Sequence, residues 1–296
     1  MNIILLIVSM AACLLGGIVN KSYSRKTDGN LTALFLFNAG GMGVAACVLF
    51  FWGGMGSVSL FTLLTGIAFG LIIMLQSVVF LKALQLGDLS LTNMFAAFST
   101  VLSAISGALF FGESLLPIHI GGIALMLISC ALIVGRDGEK KGASLRWLLL
   151  CIVVFFTTGG IGIMQKLHQS SAYKEELNAF LVLAFAIGGL VSLALFLIMR
   201  KKNGAFVPAG DKKKFIPFLI CWMLLIGGSV ATNHKLNLFL CGTMDSSVFF
   251  PIVNGGGLML ACLAGWLIFK EKLSKKQWLG VALGIAAVIL LCNPFG

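Results

Sequence analysis

Ten apolar stretches, each about twenty residues long, divide this chain and limit its fold more than any other feature. They run over roughly 2–19, 31–52, 57–80, 89–111, 116–135, 145–165, 177–199, 215–235, 247–269 and 276–292. A helix rises 1.5 Å per residue, so about 20 residues cross a hydrocarbon core near 30 Å thick. Strands of a membrane barrel would be about 10 residues long with strict alternation. These stretches are twice that length and apolar at both parities, so they predict helices. The two longest polar stretches, 136–146 and 200–214, are too short for a soluble domain. The expected fold class is all-α: a polytopic membrane protein with ten transmembrane helices.

Composition points the same way. Only 10% of the 296 residues are charged and 59% are hydrophobic, whereas soluble domains carry about 25% charged residues. A formal charge of +11 would suit nucleic acid if it sat on a solvated face. No segment is polar for long enough to make one, so no nucleic-acid partner is expected. The expected partners are the lipid bilayer and a small-molecule substrate, with room for a homodimer. The first stretch is kept as a span rather than a secretory signal, because Lys21, Arg25 and Lys26 follow its apolar run instead of preceding it. The eight cysteines contain no CxxC pair, and all but Cys241 fall in apolar stretches, where they read as small buried hydrophobes. His119, His168 and His234 lack ligand spacing, so neither metal nor cofactor is expected.

An internal repeat organises the chain. A shift of 158 residues lays Gly107, Leu109, Phe111, Glu113 and Leu115 on Gly265, Leu267, Phe269, Glu271 and Leu273. Asn20-Lys21 corresponds to Gln165-Lys166, and Gly40-Gly41 to Gly188-Gly189. Each half then holds five spans. Five is odd, so the second half enters the membrane in the opposite orientation. Such inverted repeats are a transporter architecture, with the site at the repeat interface.

Residues 80–90, Phe111-Gly-Glu-Ser-Leu and Gly121-Gly-Ile-Ala-Leu in the first half resemble the EamA-type transporters of the drug/metabolite transporter superfamily. So do Phe269-Lys-Glu-Lys-Leu and Gly280-Val-Ala-Leu-Gly in the second. The resemblance implies two EamA-like five-helix repeats, 1–140 and 141–296, carrying small organic solutes through a central cavity without ATP hydrolysis. Family members often have a proline some thirteen residues before the Glu; this chain has Thr100 and Leu258 there.

Loops after odd-numbered spans hold 18 of the 21 Lys and Arg, and the other side holds Lys166, Lys174 and Lys235. Basic short loops stay cytoplasmic, which puts both termini outside. The family resemblance implies cytoplasmic termini instead.

Ionisable groups inside a membrane mark function, and none of the ten carboxylates sits in mid-span. The small multidrug exporters, distant relatives of the family, use a Glu in their first helix for protons and cationic drugs. Residues 2–19 contain no acid, which disfavours that device. Lys82 and Lys235 are candidate cavity residues, because apolar sequence continues beyond them. They could attract a carboxylate-bearing solute or simply snorkel. Thr92, Ser99, Ser103 and Ser106 share one helical face, matched in the ninth span by Phe250, Asn254, Gly257, Ala261 and Ala264. These faces suit either a cavity wall or close helix packing. Asn38, Gln76 and Asn254 must face protein or water, since lipid would leave their amides unsatisfied. Trp222 lies deep enough to stack on a substrate or to pack in a core. Glu113 and Glu271 begin turns into the next helices, where negative charge favours the helix dipole. Gly66-x-x-x-Gly70 reads as a packing surface.

The expected function is secondary transport of a small organic metabolite, amino-acid-like, nucleobase-like or drug-like, across the plasma membrane by alternating access. A passive channel or divalent-cation carrier is the alternative. An enzyme would need a convergent acid, base and nucleophile, which the spans lack.

Overall fold

A computed structural model describes residues 2–26, 30–86, 89–114, 116–134, 145–203, 212–269 and 274–292. The described chain is all helical. In order, the helices are α1 (Asn2–Lys26), α2 (Leu31–Gly53), α3 (Leu60–Leu86), α4 (Leu89–Phe98), α5 (Thr100–Phe110) and α6 (Pro117–Val134). Then come α7 (Leu145–Gln169), α8 (Leu177–Asn203), α9 (Lys212–Thr243), α10 (Ser246–Phe269) and α11 (Lys275–Cys292), with one 3₁₀ turn at Lys174–Glu176. Seven helical stretches are long and apolar enough to cross a membrane, and Pro117–Leu132 and Ser246–Leu260 are shorter apolar helices. Phe51, Leu60, Leu109 and Phe110 point outward at 70–86% exposure, a surface that suits hydrocarbon rather than water. This is a multi-pass membrane protein.

Local chemistry sets the helix ends. Asn30 caps α2, its Oδ1 accepting from the Thr32 amide at 2.9 Å. Gly54 closes the same helix at φ 68°, and Pro117 opens α6, where its missing N–H costs nothing. The fourth apolar stretch is broken: the Ser99 hydroxyl donates to the Ala96 carbonyl at 2.6 Å and separates α4 from α5. The break falls beside Thr100, where the family pattern would place proline. In α10 a proline does lie inside the helix, at Pro251. α9 runs eight residues past Lys235, so that lysine does not end its helix as the sequence suggests.

The helices pair in matched sets. α2 packs along α8 and α6 along α11; α1 meets α9 as α3 meets α7; α2 meets α9 as α3 meets α8. Small residues allow the closest approaches. A Cβ on Gly70 would lie 3.0 Å from the Ala184 carbonyl carbon, and one on Gly66 3.3 Å from Leu183 Cβ, so this glycine pair does serve α3–α8 packing.

Candidate functional site

The bundle encloses a cavity of about 380 Å³, a volume in the range of small-molecule sites. Residues of α1, α2, α3 and α4 line it together with residues of α7, α9, α10 and α11. Its lining begins at Asn20, Lys21, Asn93 and Gln277 and ends near Gln165, His234 and Asn237. Amides dominate its polar surface, and no carboxylate lines it among the described residues.

Several of these amides are braced. Asn38 donates to Ser192 Oγ at 3.0 Å and accepts from Ser77 Oγ at 2.8 Å. Asn254 donates to Thr100 Oγ1 at 3.1 Å, and that hydroxyl donates on to the Phe250 carbonyl at 3.3 Å. Asn233 donates to both oxygens of Ser9 at 3.0 Å. Gln165 lies 3.4 Å from His234 Nδ1, whose ring is held edge-on by Phe69 and Phe185. The buried Thr158 hydroxyl has no hydrogen-bond partner.

Of the residues singled out from sequence, Asn38, Gln76 and Asn254 line this cavity. Phe250 and Gly257 on the Asn254 face line it too, while the side chains of Ala261 and Ala264 lie outside the described set. The matching α4–α5 face does not. Ser99 bonds its own helix and Ser103 reaches the Gly159 carbonyl of α7 at 3.5 Å, so that face is packing. Trp222 does not line the cavity; it packs in an apolar cluster with Tyr23, Phe37 and Ile226 and touches Phe218. Lys82 does not line the cavity. Nor does Lys235, whose ammonium bonds Asn178 Oδ1 at 3.1 Å and lies 4.4 Å over the Trp52 ring. Sequence reasoning missed Asn233, His234 and Asn237. Their signal was available, because amides at i and i+4 inside an apolar stretch fall under the argument applied to Asn254.

Close to the cavity-lining Gln165, polar contacts tie the bundle together. The turns after α2, α5, α7 and α9 meet at this end through polar contacts. Glu113 pairs with Lys166, whose side chains are 9% and 11% exposed. Lys166 also donates to the carbonyls of Cys241 at 3.0 Å and Met244 at 3.2 Å. Glu113 accepts from the Ser246 amide at 2.8 Å and its hydroxyl at 3.2 Å. The carboxylate therefore sits at a helix N-terminus, but that of α10 and not of α6, as its place in the sequence suggests. Glu271, its repeat counterpart, lies outside the described residues. Nearby, Glu176 accepts from the Ser59 amide and hydroxyl at 2.9 and 2.8 Å. Asn178 donates to the Leu49 carbonyl at 3.0 Å. Apart from the two Lys166 bonds to Cys241 and Met244, these links join residues before 140 to residues after 145.

A stretch of 101 residues is 33% identical to the spermidine export protein MdtI of Shigella flexneri, spanning 87% of that protein and 33% of this chain. The chain belongs to the same family as MdtI. MdtI of Escherichia coli matches to the same extent. An uncharacterised protein of Haemophilus influenzae is 25% identical over 228 residues, 76% of this chain and 74% of its own length. One solved crystal structure superposes with a TM-score of 0.70 at 15% identity, over 98% of both chains, which shows a shared fold. No family model matches the chain, so the EamA-type resemblance rests on the motifs. MdtI is covered almost whole by a third of this chain.

Proposed function

We propose that this chain is a secondary transporter of a small organic metabolite, built as ten membrane helices in two inverted five-helix repeats, 1–140 and 141–296, of the EamA type. It sits in the plasma membrane with its basic loops inside and alternates access by rocking the halves against each other. The observation that carries the reading is the cavity itself. It lies between helices of both halves, is lined at one end by Lys21 and Gln277, and is lined by Gln165, next in sequence to the Lys166 of the Glu113–Lys166 pair. A cavity between the two halves with one end bridged by polar contacts is the arrangement expected of one state of an alternating carrier. The matched helix pairings support the repeat, since exchanging α1–α6 with α7–α11 turns each pairing into its counterpart. By charge sorting the tied end faces outside.

Asn38, Gln76 and Asn254 are the substrate-contacting candidates that remain. Counterflow in proteoliposomes tests the reading: a carrier accumulates labelled solute against preloaded solute, and a channel cannot. Asn254→Leu, inserted and monodisperse, is expected to lose counterflow by tenfold or more. Counterflow at the wild-type rate would remove Asn254 from the site.

A further inference from the structure

The cavity holds polar groups that its own walls leave unused. Asn20, Gln76 and Asn93 line it without a hydrogen-bond partner among the described residues, while most other lining amides are tied to neighbours. Each carboxamide offers two N–H donors and an oxygen acceptor. The Thr158 hydroxyl is buried there with no partner, and buried polar atoms in folded proteins are nearly always paired. A ligand that supplies both donors and acceptors would complete these groups.

The charge of the lining narrows that ligand further. Among the described residues the only charged side chain on the cavity wall is Lys21, at its mouth. A cation entering would lose its water against a wall on which no described residue is a carboxylate to replace it. Charges taken out of water need a paired partner. A polyamine, the solute in the name of MdtI, carries several positive charges and would bear that cost several times over.

We infer that the cavity binds an uncharged solute presenting adjacent hydrogen-bond donors and acceptors, of the nucleobase or carboxamide kind, and excludes polyamines. The inference rests on the transporter reading, and the test separates the two. Proteoliposomes of the full chain are loaded with a bacterial small-molecule extract divided by ion exchange into neutral, anionic and cationic fractions. Uracil is added to the first and spermidine to the last as defined probes. Protein-dependent release is read by mass spectrometry. Release from the neutral fraction only, reduced at least tenfold in Gln76→Leu and Asn93→Leu of unchanged melting temperature, is the expected result. Release confined to the anionic or cationic fraction, or of spermidine itself, overturns the inference and leaves the transporter reading standing. Release from no fraction removes the transporter reading and the inference with it.

Discussion

The link between Glu113 and Lys166 is the contact whose loss should most change how this protein behaves. It joins the α5–α6 turn to α7, and through Ser246 to the start of α10, with both side chains about nine-tenths buried. Glu113→Gln keeps an oxygen to accept from the Ser246 amide but removes the charge facing the ammonium. Lys166 keeps the Cys241 and Met244 carbonyls, at 3.0 and 3.2 Å. The loss is therefore the charge-assisted part of the interaction, about 2 kcal/mol. A fully orphaned buried charge would cost about 3–5 kcal/mol. If the pair exists only while this end is shut, about 2 kcal/mol raises the open fraction by about 30-fold, at about 1.4 kcal/mol per tenfold. Lys166→Met strands the carboxylate and should do more. Cys241 is the natural reporter, because its thiol is fully buried beside the carbonyl that Lys166 holds. The assay is labelling by a membrane-impermeant maleimide, resolved by peptide mass spectrometry. Cys151, buried with Trp147 and Ala83, serves as the control for general unfolding. A Cys241 rate within twofold of wild type, or a rise matched at Cys151, would refute the latch.

Other perturbations test neighbouring parts of the structure. In Gly107→Ala the new methyl would run into the Glu113 carboxylate and lie 2.8 Å from Ser246 Cβ. Overpacking of that kind costs about 1–3 kcal/mol, so a lower melting temperature and faster Cys241 labelling are expected together. Gly70→Ala presses on the Ala184 backbone at 3.0 Å, which cannot rotate away, and should reduce the monodisperse fraction on size exclusion more than Gly66→Ala does. Lys235→Met removes the cation held 4.4 Å over Trp52 and should cost about 1 kcal/mol of thermal stability. A double-mutant cycle with Trp52→Leu measures the coupling, and zero coupling would show that the contact contributes nothing.

What the sequence could and could not say divides by the range of the physics involved. The apolar stretches were legible because crossing a hydrocarbon core is a requirement on each segment alone, and the described chain is all-helical with seven helical stretches long and apolar enough to cross. Helix ends were less legible. α9 continues past Lys235 because nothing at that position, neither glycine, proline nor a capping side chain, stops it. The side-chain assignments divided the same way. Asn254 could be placed off the lipid by a local argument, since an amide needs a partner wherever the helix lies. Ser99 and Ser103 could not be sorted, because a hydroxyl can satisfy itself on a nearby carbonyl and so carries no information about which way its helix face points. Lys235 was misplaced because its choice among water, ring and carbonyl depends on Trp52 and Asn178, residues far away in sequence.

The partner of Glu113 lies 53 residues further on and its second contact 133 residues further on, so no local rule could pair them. A signal was nevertheless present. Glu113 and Lys166 are each members of repeat-matched positions, Glu113 with Glu271 and Lys166 with Lys21. Buried charge is tolerated in a membrane only where it is paired. A Glu and a Lys that both recur in the two halves, each at the end of an apolar stretch, are therefore better candidates for one another than for the snorkelling or dipole roles that either could fill alone. Two apolar stretches, 116–135 and 145–165, also separate Glu113 from Lys166 in sequence, so a chain that crosses twice returns to the same end and the pairing is geometrically open to them.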